Sequence, residues 1–166
     1  VVSDDHGKTW QRVGPMGLKT NENMVSQLEN GTLICNMRST AGLNQRAISQ
    51  SSDDGNSWSP LLHDPNLIEP VCQASTLAIP SANTPDGREW LLFCNPASKK
   101  RENLTIKVSF DGGKSWPVSR LIHAGPTAYS CMTLVGENCV GVLYECGERS
   151  SYEGIRFAHL PLQWLM

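Results

Sequence analysis

The chain has 166 residues, a formal net charge of −2 and only 18% charged residues, so no basic excess favours binding to nucleic acid or to an anionic membrane. No apolar run approaches the roughly 18 residues that a membrane-spanning helix needs. Glycine (14) and proline (10) are plentiful, which favours a turn-rich β protein over a helical one.

The six cysteines give no sign of a metal site. They form no C-x-x-C pair, and no histidine stands at metal-ligand spacing from them, so we expect neither a metal nor a cofactor. Cys35 and Cys94 fall within apolar runs, where a buried small hydrophobic role is favoured. An even number of cysteines permits disulfides without requiring them.

An eight-residue motif occurs three times, as Ser3–Trp10, Ser51–Trp58 and Ser109–Trp116, and every copy fits S-x-D-x-G-x-[ST]-W. Serine and aspartate before a glycine, followed by a hydroxyl residue and tryptophan, predict a turn that ends in a large apolar anchor. The copies start 48 and 58 residues apart, which is typical of repeated supersecondary units. The aspartates lack the ligand pattern of an EF-hand calcium loop, so we expect them to bond within the turn.

The first half of the chain predicts an antiparallel meander. Trp10–Val13 predicts a short strand that is broken by residues 14–17. Asn30-Gly31 between two apolar runs predicts a hairpin. The predicted strands are Met24–Leu28, Thr32–Met37, Arg46–Ser51 and one that begins at Trp58. Residues 24–62 would then form four antiparallel strands, with the second copy of the motif as the third turn.

The same order of elements recurs in the second half. The next predicted unit consists of Ala74–Ile79, Glu89–Asn95, Leu104–Ser109 and Trp116–Ile122. The last consists of Ser130–Val135, Val140–Glu145 and Ile155–Leu160, without a fourth strand. No segment has a sustained 3.6-residue apolar period, so we expect no long helix. Four-stranded meanders at this spacing predict an all-β fold, a β-propeller.

The first copy of the motif begins at residue 3, and the chain starts at Val1 rather than Met. We interpret the chain as a fragment of a longer protein. An open arc of blades leaves two blade faces bare, so we expect the isolated fragment to be poorly soluble or partly disordered.

Strand direction separates two faces of such a propeller. The start of a blade's first strand, the end of its second and the loop that follows share one face, and the repeated motif lies on the other. The first face carries Glu22, Arg38, Arg101, Tyr129 and Glu145. Arginines can clamp an anion bidentately, and a carboxylate can accept a tyrosine proton. Taken singly, each residue also suits an ordinary surface or packing role, so only their convergence favours a functional site.

The segments around these residues resemble the sialidase (neuraminidase) family. The repeated motif is similar to that family's Asp box, although unrelated propellers carry Asp boxes too. Asn21–Arg38 resembles the segment with the family's glutamate and the second arginine of its triad. Phe93–Thr105 resembles the segment with the third arginine, and Gly125–Ser130 the one with the nucleophilic tyrosine. The order of these segments is more specific than the Asp boxes.

The resemblance implies a partial six-bladed β-propeller with two complete four-stranded blades plus parts of two others, and it makes residues 1–166 the C-terminal fragment of a sialidase propeller domain. It implies an exo-α-sialidase that hydrolyses terminal sialic acid with retention, sialidases being the glycosidases that use a tyrosine nucleophile. Tyr129 would be the nucleophile and Glu22 its base. Arg38 and Arg101 would bind the substrate carboxylate.

The implied partners are sialylated glycans on glycoproteins or glycolipids, with no nucleic acid and no membrane segment in this fragment. The implied location is secreted, periplasmic or lysosomal. The family's first triad arginine and its acid/base aspartate have no counterpart here, so we expect an inactive fragment of an active parent.

The sequence is also compatible with two other functions: a non-catalytic Asp-box propeller that binds glycans or proteins, and a trans-sialidase with the same site. Gln73 and Ser75 begin a blade on the candidate face and could line a glycan pocket, although turn and hairpin roles are favoured for both.

Overall fold

The computed structural model describes residues 1–13 and 17–166, and within these ranges the chain forms ten β-strands and two 3-10 helices. The strands are β1 (Thr20–Gln27), β2 (Leu33–Ser39), β3 (Gln45–Ser51), β4 (Leu62–Ile68), β5 (Ser75–Ile79), β6 (Trp90–Pro96), β7 (Glu102–Ser109), β8 (Val118–Val135), β9 (Cys139–Cys146) and β10 (Gly154–Pro161). The 3-10 helices are Ser81–Asn83 and Leu162–Leu165. The all-β prediction is confirmed. No helix in the described ranges is long and apolar enough to cross a membrane.

Within each of two sheets, every strand pairs antiparallel with the next strand in sequence. The strands β1 to β4 form one sheet, and β5 to β10 form a second sheet of six strands. The 18-residue strand β8 belongs to two blades, because Val118–His123 pairs with β7 while Thr127–Val135 pairs with β9. The prediction of two complete blades and three strands of another is therefore confirmed. The continuous strand β8 joins the second blade to the third.

The fourth strand of the first blade begins later than Trp58, where the sequence pattern placed it. The chain makes one backbone bond there, from Ser59 N to the carbonyl of Gln50 (2.8 Å), and ladder pairing begins only at Leu62. The intervening Pro60 has no N–H to donate to the ladder. A second proline, Pro65, lies within an irregularity of the β3–β4 pairing, where the ladder does not need its nitrogen.

The predicted strand Trp10–Val13 is wrong. Gln11 forms an isolated bridge with Val2, with two backbone hydrogen bonds of 2.9 and 2.8 Å, and no further ladder extends from it. A single bridged pair lacks the flanking strands that stabilise a sheet. Most of the predicted break at 14–17 lies outside the described residues.

The hairpin prediction at Asn30-Gly31 is confirmed. Leu28 N donates to the carbonyl of Thr32 (2.9 Å), and Gly31 has a φ of 85°, in the left-handed region that glycine adopts without steric cost.

The core lies between the blades. All seven residues of β6 are buried, because both faces of this strand are covered. Leu92 packs toward the third blade in the largest apolar cluster, whereas Leu91 packs against Leu28 and Ile34 of the first. Burying each such side chain stabilises the fold by about 1.5–3 kcal/mol.

The prediction for the two apolar-run cysteines is confirmed. Cys35 and Cys94 are fully buried, and all six thiols are free. Burial raises the pKa of Cys94 to about 12 and that of Cys35 to about 11, so both thiols stay protonated and behave as small apolar side chains.

The repeated motif forms the predicted turn. In the second copy, Asp53 accepts bonds from the Ser51 hydroxyl (2.7 Å), from Ser57 N (2.9 Å) and from the Ser57 hydroxyl (2.6 Å). The carboxylates of the other two copies repeat these bonds. The bonds from Ser57 and Ser51 lower the pKa of Asp53 to about 2. Its oxygens are thus committed to the turn.

The third copy also links two blades. The indoles of Trp10 and Trp58 donate to glycine carbonyls within their own turns, at 3.1 and 3.0 Å. The indole of Trp116 donates instead to Asp64 of the first blade, at 3.1 Å. One turn residue therefore fastens the second blade to its neighbour.

Candidate active site

The candidate residues come from all three blades and lie on one face. Glu22 is in β1, Arg38 is near the end of β2, Arg101 is in the loop before β7, and Tyr129 is in β8. The repeated turns follow the other ends of the strands, since Ser51 pairs with Leu33 at the start of β2. The structure thus separates the candidate residues from the turns of the repeated motif, which we call the Asp turns.

Two bulges orient the site. In β1, Glu22 and the residue before it lie opposite the single residue Arg38 of β2. In β8, Tyr129 and the residue before it lie opposite the single residue Glu145 of β9. A bulge changes the direction of a side chain relative to regular strand alternation, and bulges are frequent beside active sites. The same irregularity at the first strand of two blades brings Glu22 and Tyr129 toward each other.

Tyr129, Glu22 and Arg38 form a closed hydrogen-bonded group. The Tyr129 hydroxyl donates to Glu22 Oε1 at 2.5 Å. Arg38 Nη1 donates to Glu22 Oε2 at 2.6 Å and to the Tyr129 hydroxyl at 3.3 Å. The side chains of Arg38 and Glu22 are 19% and 36% exposed, so this ion pair is accessible to a ligand from solvent.

The group's electrostatics keep the proton on the tyrosine. Burial acts to raise the pKa of Glu22, but the hydrogen bonds from Tyr129 and Arg38, together with the charges of Arg38 and Arg101, outweigh it and lower that pKa below its ordinary value. The hydrogen bond to Glu22 raises the pKa of Tyr129, and burial adds to this shift. The resting pair is therefore an ionised carboxylate that accepts from a neutral phenol, which is the arrangement that general-base activation requires.

Arg101 stands beside this group. Its Nη1 donates to the hydroxyl of Tyr152, and its Nη2 donates to the carbonyl of Val71 at 3.4 Å. Its guanidinium carbon lies 5.7 Å from the ring centroid of Tyr129. The structure thus places Arg101 against the face of the Tyr129 ring, while its hydrogen bonds go to neighbours that the sequence did not single out.

Three further residues support the backbone at Tyr129. Glu145 Oε2 accepts from Tyr129 N at 3.1 Å. The amide of Gln73 makes two bonds to the backbone of Ser130, at 2.9 and 3.0 Å. The buried Ser75 hydroxyl lies 3.1 Å from that of Ser130. Gln73 and Ser75 therefore hold β8 in place, and Gln73 and Glu145 also line an open pocket of about 310 Å³ beside Tyr129.

Two contributors had no signal in the sequence. Tyr152, which bonds Arg101, lies in the loop between β9 and β10, in no motif. Glu69 is fully buried behind Arg38 and pairs with Arg46, which is 23 residues away. Arg46 and Glu69 meet only because β4 folds back against β3, so the spacing of the two residues in the sequence could not predict the ion pair.

The arrangement gathers an ionised base, a neutral phenol and two guanidinium groups around one open surface. Arginine forks suit a carboxylate ligand, and the phenol lies within hydrogen-bond reach of the base. Within the described ranges, no group of His, Cys, Asp and Glu is arranged to hold a metal ion.

Comparison with known proteins places the chain in a family. The model of the BNR repeat-like domain family matches residues 1–143. A sialidase of Micromonospora viridifaciens is 38% identical over 168 residues, covering 99% of this chain and 25% of the relative. A sialidase of Bacteroides fragilis (strain YCH46) is 35% identical over 152 residues, covering 87% of this chain and 27% of the relative. The chain thus spans about a quarter of the length of these curated relatives.

Solved structures agree in fold. The Hadza microbial sialidase Hz136 matches with a TM-score of 0.89 at 39% identity, covering 99% of this chain and 32% of that chain. The NanB sialidase from Streptococcus pneumoniae matches with a TM-score of 0.84 at 23% identity, covering 99% of this chain and 27% of that chain, which bears on the fold alone. The chain therefore belongs to the BNR repeat-like domain family, and the relatives named above are sialidases with the β-propeller fold.

Proposed function

We propose that this chain is the C-terminal part of the catalytic propeller of an exo-α-sialidase, and that the intact protein releases terminal sialic acid from glycans with retention. The observation that carries the proposal is the 2.5 Å bond from the Tyr129 hydroxyl to Glu22, with Arg38 bonded to both. Sequence identity of 35–38% to two sialidases over most of the chain supports it.

Substrate binding would use the two guanidinium groups. Sialic acid carries a carboxylate on its anomeric carbon, and planar arginine forks match carboxylate oxygens in geometry and charge. Arg38 Nη1 is engaged with Glu22 and Tyr129, so the carboxylate would use its remaining donors. Arg101 would exchange its bond to the exposed Tyr152 for one to the substrate.

The chemical step would use Tyr129 as nucleophile. Its hydroxyl oxygen attacks the anomeric carbon while the bond to the leaving sugar's oxygen breaks, and the phenol proton passes to Glu22. A neutral phenol approaches this carbon without the repulsion that a carboxylate nucleophile would meet from the substrate's own carboxylate. The leaving oxygen takes its proton from an acid elsewhere in the intact protein.

The second step reverses the first. Water attacks the anomeric carbon of the tyrosyl intermediate and gives its proton to the group that acted as acid in the first step, while the bond to Tyr129 breaks and the phenolate recovers its proton from Glu22. Two inversions at one carbon give net retention, as in retaining glycosidases generally. The proposed substrates are sialylated glycoproteins or glycolipids, and the open pocket beside Tyr129 would leave room for the rest of the glycan.

The experiment is hydrolysis of a fluorogenic sialoside by the full-length protein. Tyr129→Phe is expected to abolish turnover, whereas Trp10→Phe, in a turn of the repeated motif on the other face, is expected to retain it. Sialoside binding without turnover would instead support the non-catalytic propeller, and transfer to an added acceptor sugar would support a trans-sialidase. We expect the 166 residues alone to be inactive, and turnover by them would contradict the need for further catalytic groups.

A further inference from the structure

A buried ion pair lies directly behind the site. Arg46 of β3 and Glu69 after β4 are both fully buried, and Arg46 Nη1 lies 2.7 Å from Glu69 Oε2. Burying two charges costs free energy that their attraction only partly offsets, and apolar replacements of such pairs are often neutral or stabilising. Stability therefore gives little reason for an ion pair at this position.

The pair makes hydrogen bonds to β2 on both sides of Arg38. Arg46 Nε donates to the side chain of Asn36, two residues before Arg38, at 2.6 Å. Glu69 Oε1 accepts from the backbone N–H of Ser39, the residue after Arg38, at 2.7 Å. The backbone that carries Arg38 is thus fixed by both members of the pair.

The pair also shapes the connector between the first two blades, which we define as residues 69–72. Arg46 Nη1 donates to the carbonyl of Cys72 at 2.7 Å, and Glu69 N donates to Asn44 O at 3.0 Å. Between these anchors, Val71 has a φ of 53°, in the left-handed region that a β-branched residue seldom adopts. In this conformation its carbonyl accepts from Arg101 Nη2.

Arg38 and Arg101 lie on different blades, so their spacing depends on how the blades are joined. We propose that the Arg46–Glu69 pair is a positioning pair that sets this spacing: it fixes the backbone on either side of Arg38 and holds the connector in the conformation that contacts Arg101. This inference rests on the proposed function, because the spacing matters only if both arginines bind one carboxylate. A misplacement of about 1 Å at such a site costs on the order of 100-fold in rate.

The main test is the double variant Arg46→Met/Glu69→Leu in the full-length protein. It removes both charges and leaves neither unpaired. We expect a lower melting temperature than that of the wild type, because Asn36, the Ser39 N–H and the Cys72 carbonyl lose their partners. At a temperature where the variant is folded, we expect a KM for a fluorogenic sialoside raised about 10- to 100-fold and an equal loss of affinity for free sialic acid. Arg88→Met, which breaks the exposed Arg88–Asp86 pair away from the site, is the control and should leave KM unchanged.

A second pair of variants keeps the buried charges and remains decisive if the double variant does not fold. Val71→Gly loosens the connector and should raise KM, whereas Val71→Asn tolerates the left-handed conformation and should keep the wild-type KM. A wild-type KM and sialic acid affinity in the double variant or in Val71→Gly would overturn the inference. A wild-type protein that binds sialic acid without hydrolysing sialosides would refute the proposed function alone, and the affinities would still decide the positioning role.

Discussion

The hydroxyl of Tyr129 lies 2.5 Å from Glu22 Oε1, although 107 positions separate the two residues in the chain. Each stands at a bulge in the first strand of its blade, opposite Arg38 in one case and Glu145 in the other. Without the bulges, the in-and-out alternation of side chains along each strand would direct Glu22 and Tyr129 differently. The hydrogen bond between them therefore depends on two local irregularities in otherwise regular sheets.

Replacing the base should change how the rate depends on pH. Glu22→Gln removes the acceptor of the phenol proton, and we expect turnover at neutral pH to fall about 100- to 10,000-fold. The hydrogen bond to Glu22 is the largest cause of the raised pKa of Tyr129, so without it that pKa falls and the phenolate forms at lower pH. The residual rate of Glu22→Gln should therefore rise with pH up to the limit of protein stability, as measured by a pH–rate profile. A flat profile would argue against Tyr129 as the group that must lose a proton.

Lysine at position 38 or 101 should not preserve the affinity for sialic acid. A lysine offers a point charge where the guanidinium offers a planar fork, and one lost charge-assisted hydrogen bond is worth about 1.5–3 kcal/mol. We expect Arg38→Lys and Arg101→Lys each to weaken binding of free sialic acid by about 10- to 100-fold, measured by calorimetry. Arg120→Lys is the control, since Arg120 bonds the backbone of Trp164 and Met166 away from the site. Unchanged affinity in both site variants would contradict the carboxylate clamp.

The Asp turns should make the fold acid-sensitive in a defined window. The bonds from Ser57 and Ser51 lower the pKa of Asp53 from 3.8 to about 2, so its contribution to stability is full above pH 3.8 and is lost as the pH falls toward 2. Asp53→Asn should lower the melting temperature at pH 6, and the gap to the wild type should close between pH 4 and pH 2. A gap that stayed constant over that range would show that the ionised carboxylate is not what stabilises the turn.

The bond between Trp116 and Asp64 should contribute to the packing of the first two blades. Trp116→Phe keeps an aromatic ring but removes the indole donor, and we expect it to lower the free energy of unfolding by about 1 kcal/mol. Trp58→Phe, at a partly buried tryptophan that bonds within its own turn, is the matched control and should lower it by a smaller amount. Chemical denaturation of the full-length protein measures both, and equal effects would refute a special role for the inter-blade bond.

Local chemistry was enough to predict the architecture. The repeated Asp turn and the Asn30-Gly31 hairpin act within a few residues of the chain, and both formed as predicted. The start of β4 was misplaced because Trp58 looks like the beginning of a strand, whereas the following proline delays pairing to Leu62. Trp10–Val13 has strand-forming residues but pairs only through an isolated bridge.

The site was accessible from sequence only in outline. Strand direction put Glu22 and Tyr129 on one face, but the bulges that bring them into contact have no signature in either strand. The sequence pattern did not predict the ion pair of Arg46 and Glu69, since a charged residue within a strand normally indicates an exposed position. In the folded chain both side chains are fully buried, and Arg46 bonds the connector between the first two blades.

Covalent trapping would identify the nucleophile of this site most directly. A sialosyl fluoride with a second fluorine at C3 should react with the full-length protein and release its anomeric fluoride. The intermediate it leaves should be long-lived, because the electron-withdrawing fluorine slows its hydrolysis. Proteolysis and mass spectrometry should then locate the sugar on the peptide that contains Tyr129, and Tyr129→Phe should stay unlabelled. A sugar attached to any other residue, or turnover of the reagent by Tyr129→Phe at the wild-type rate, would exclude Tyr129 as the nucleophile.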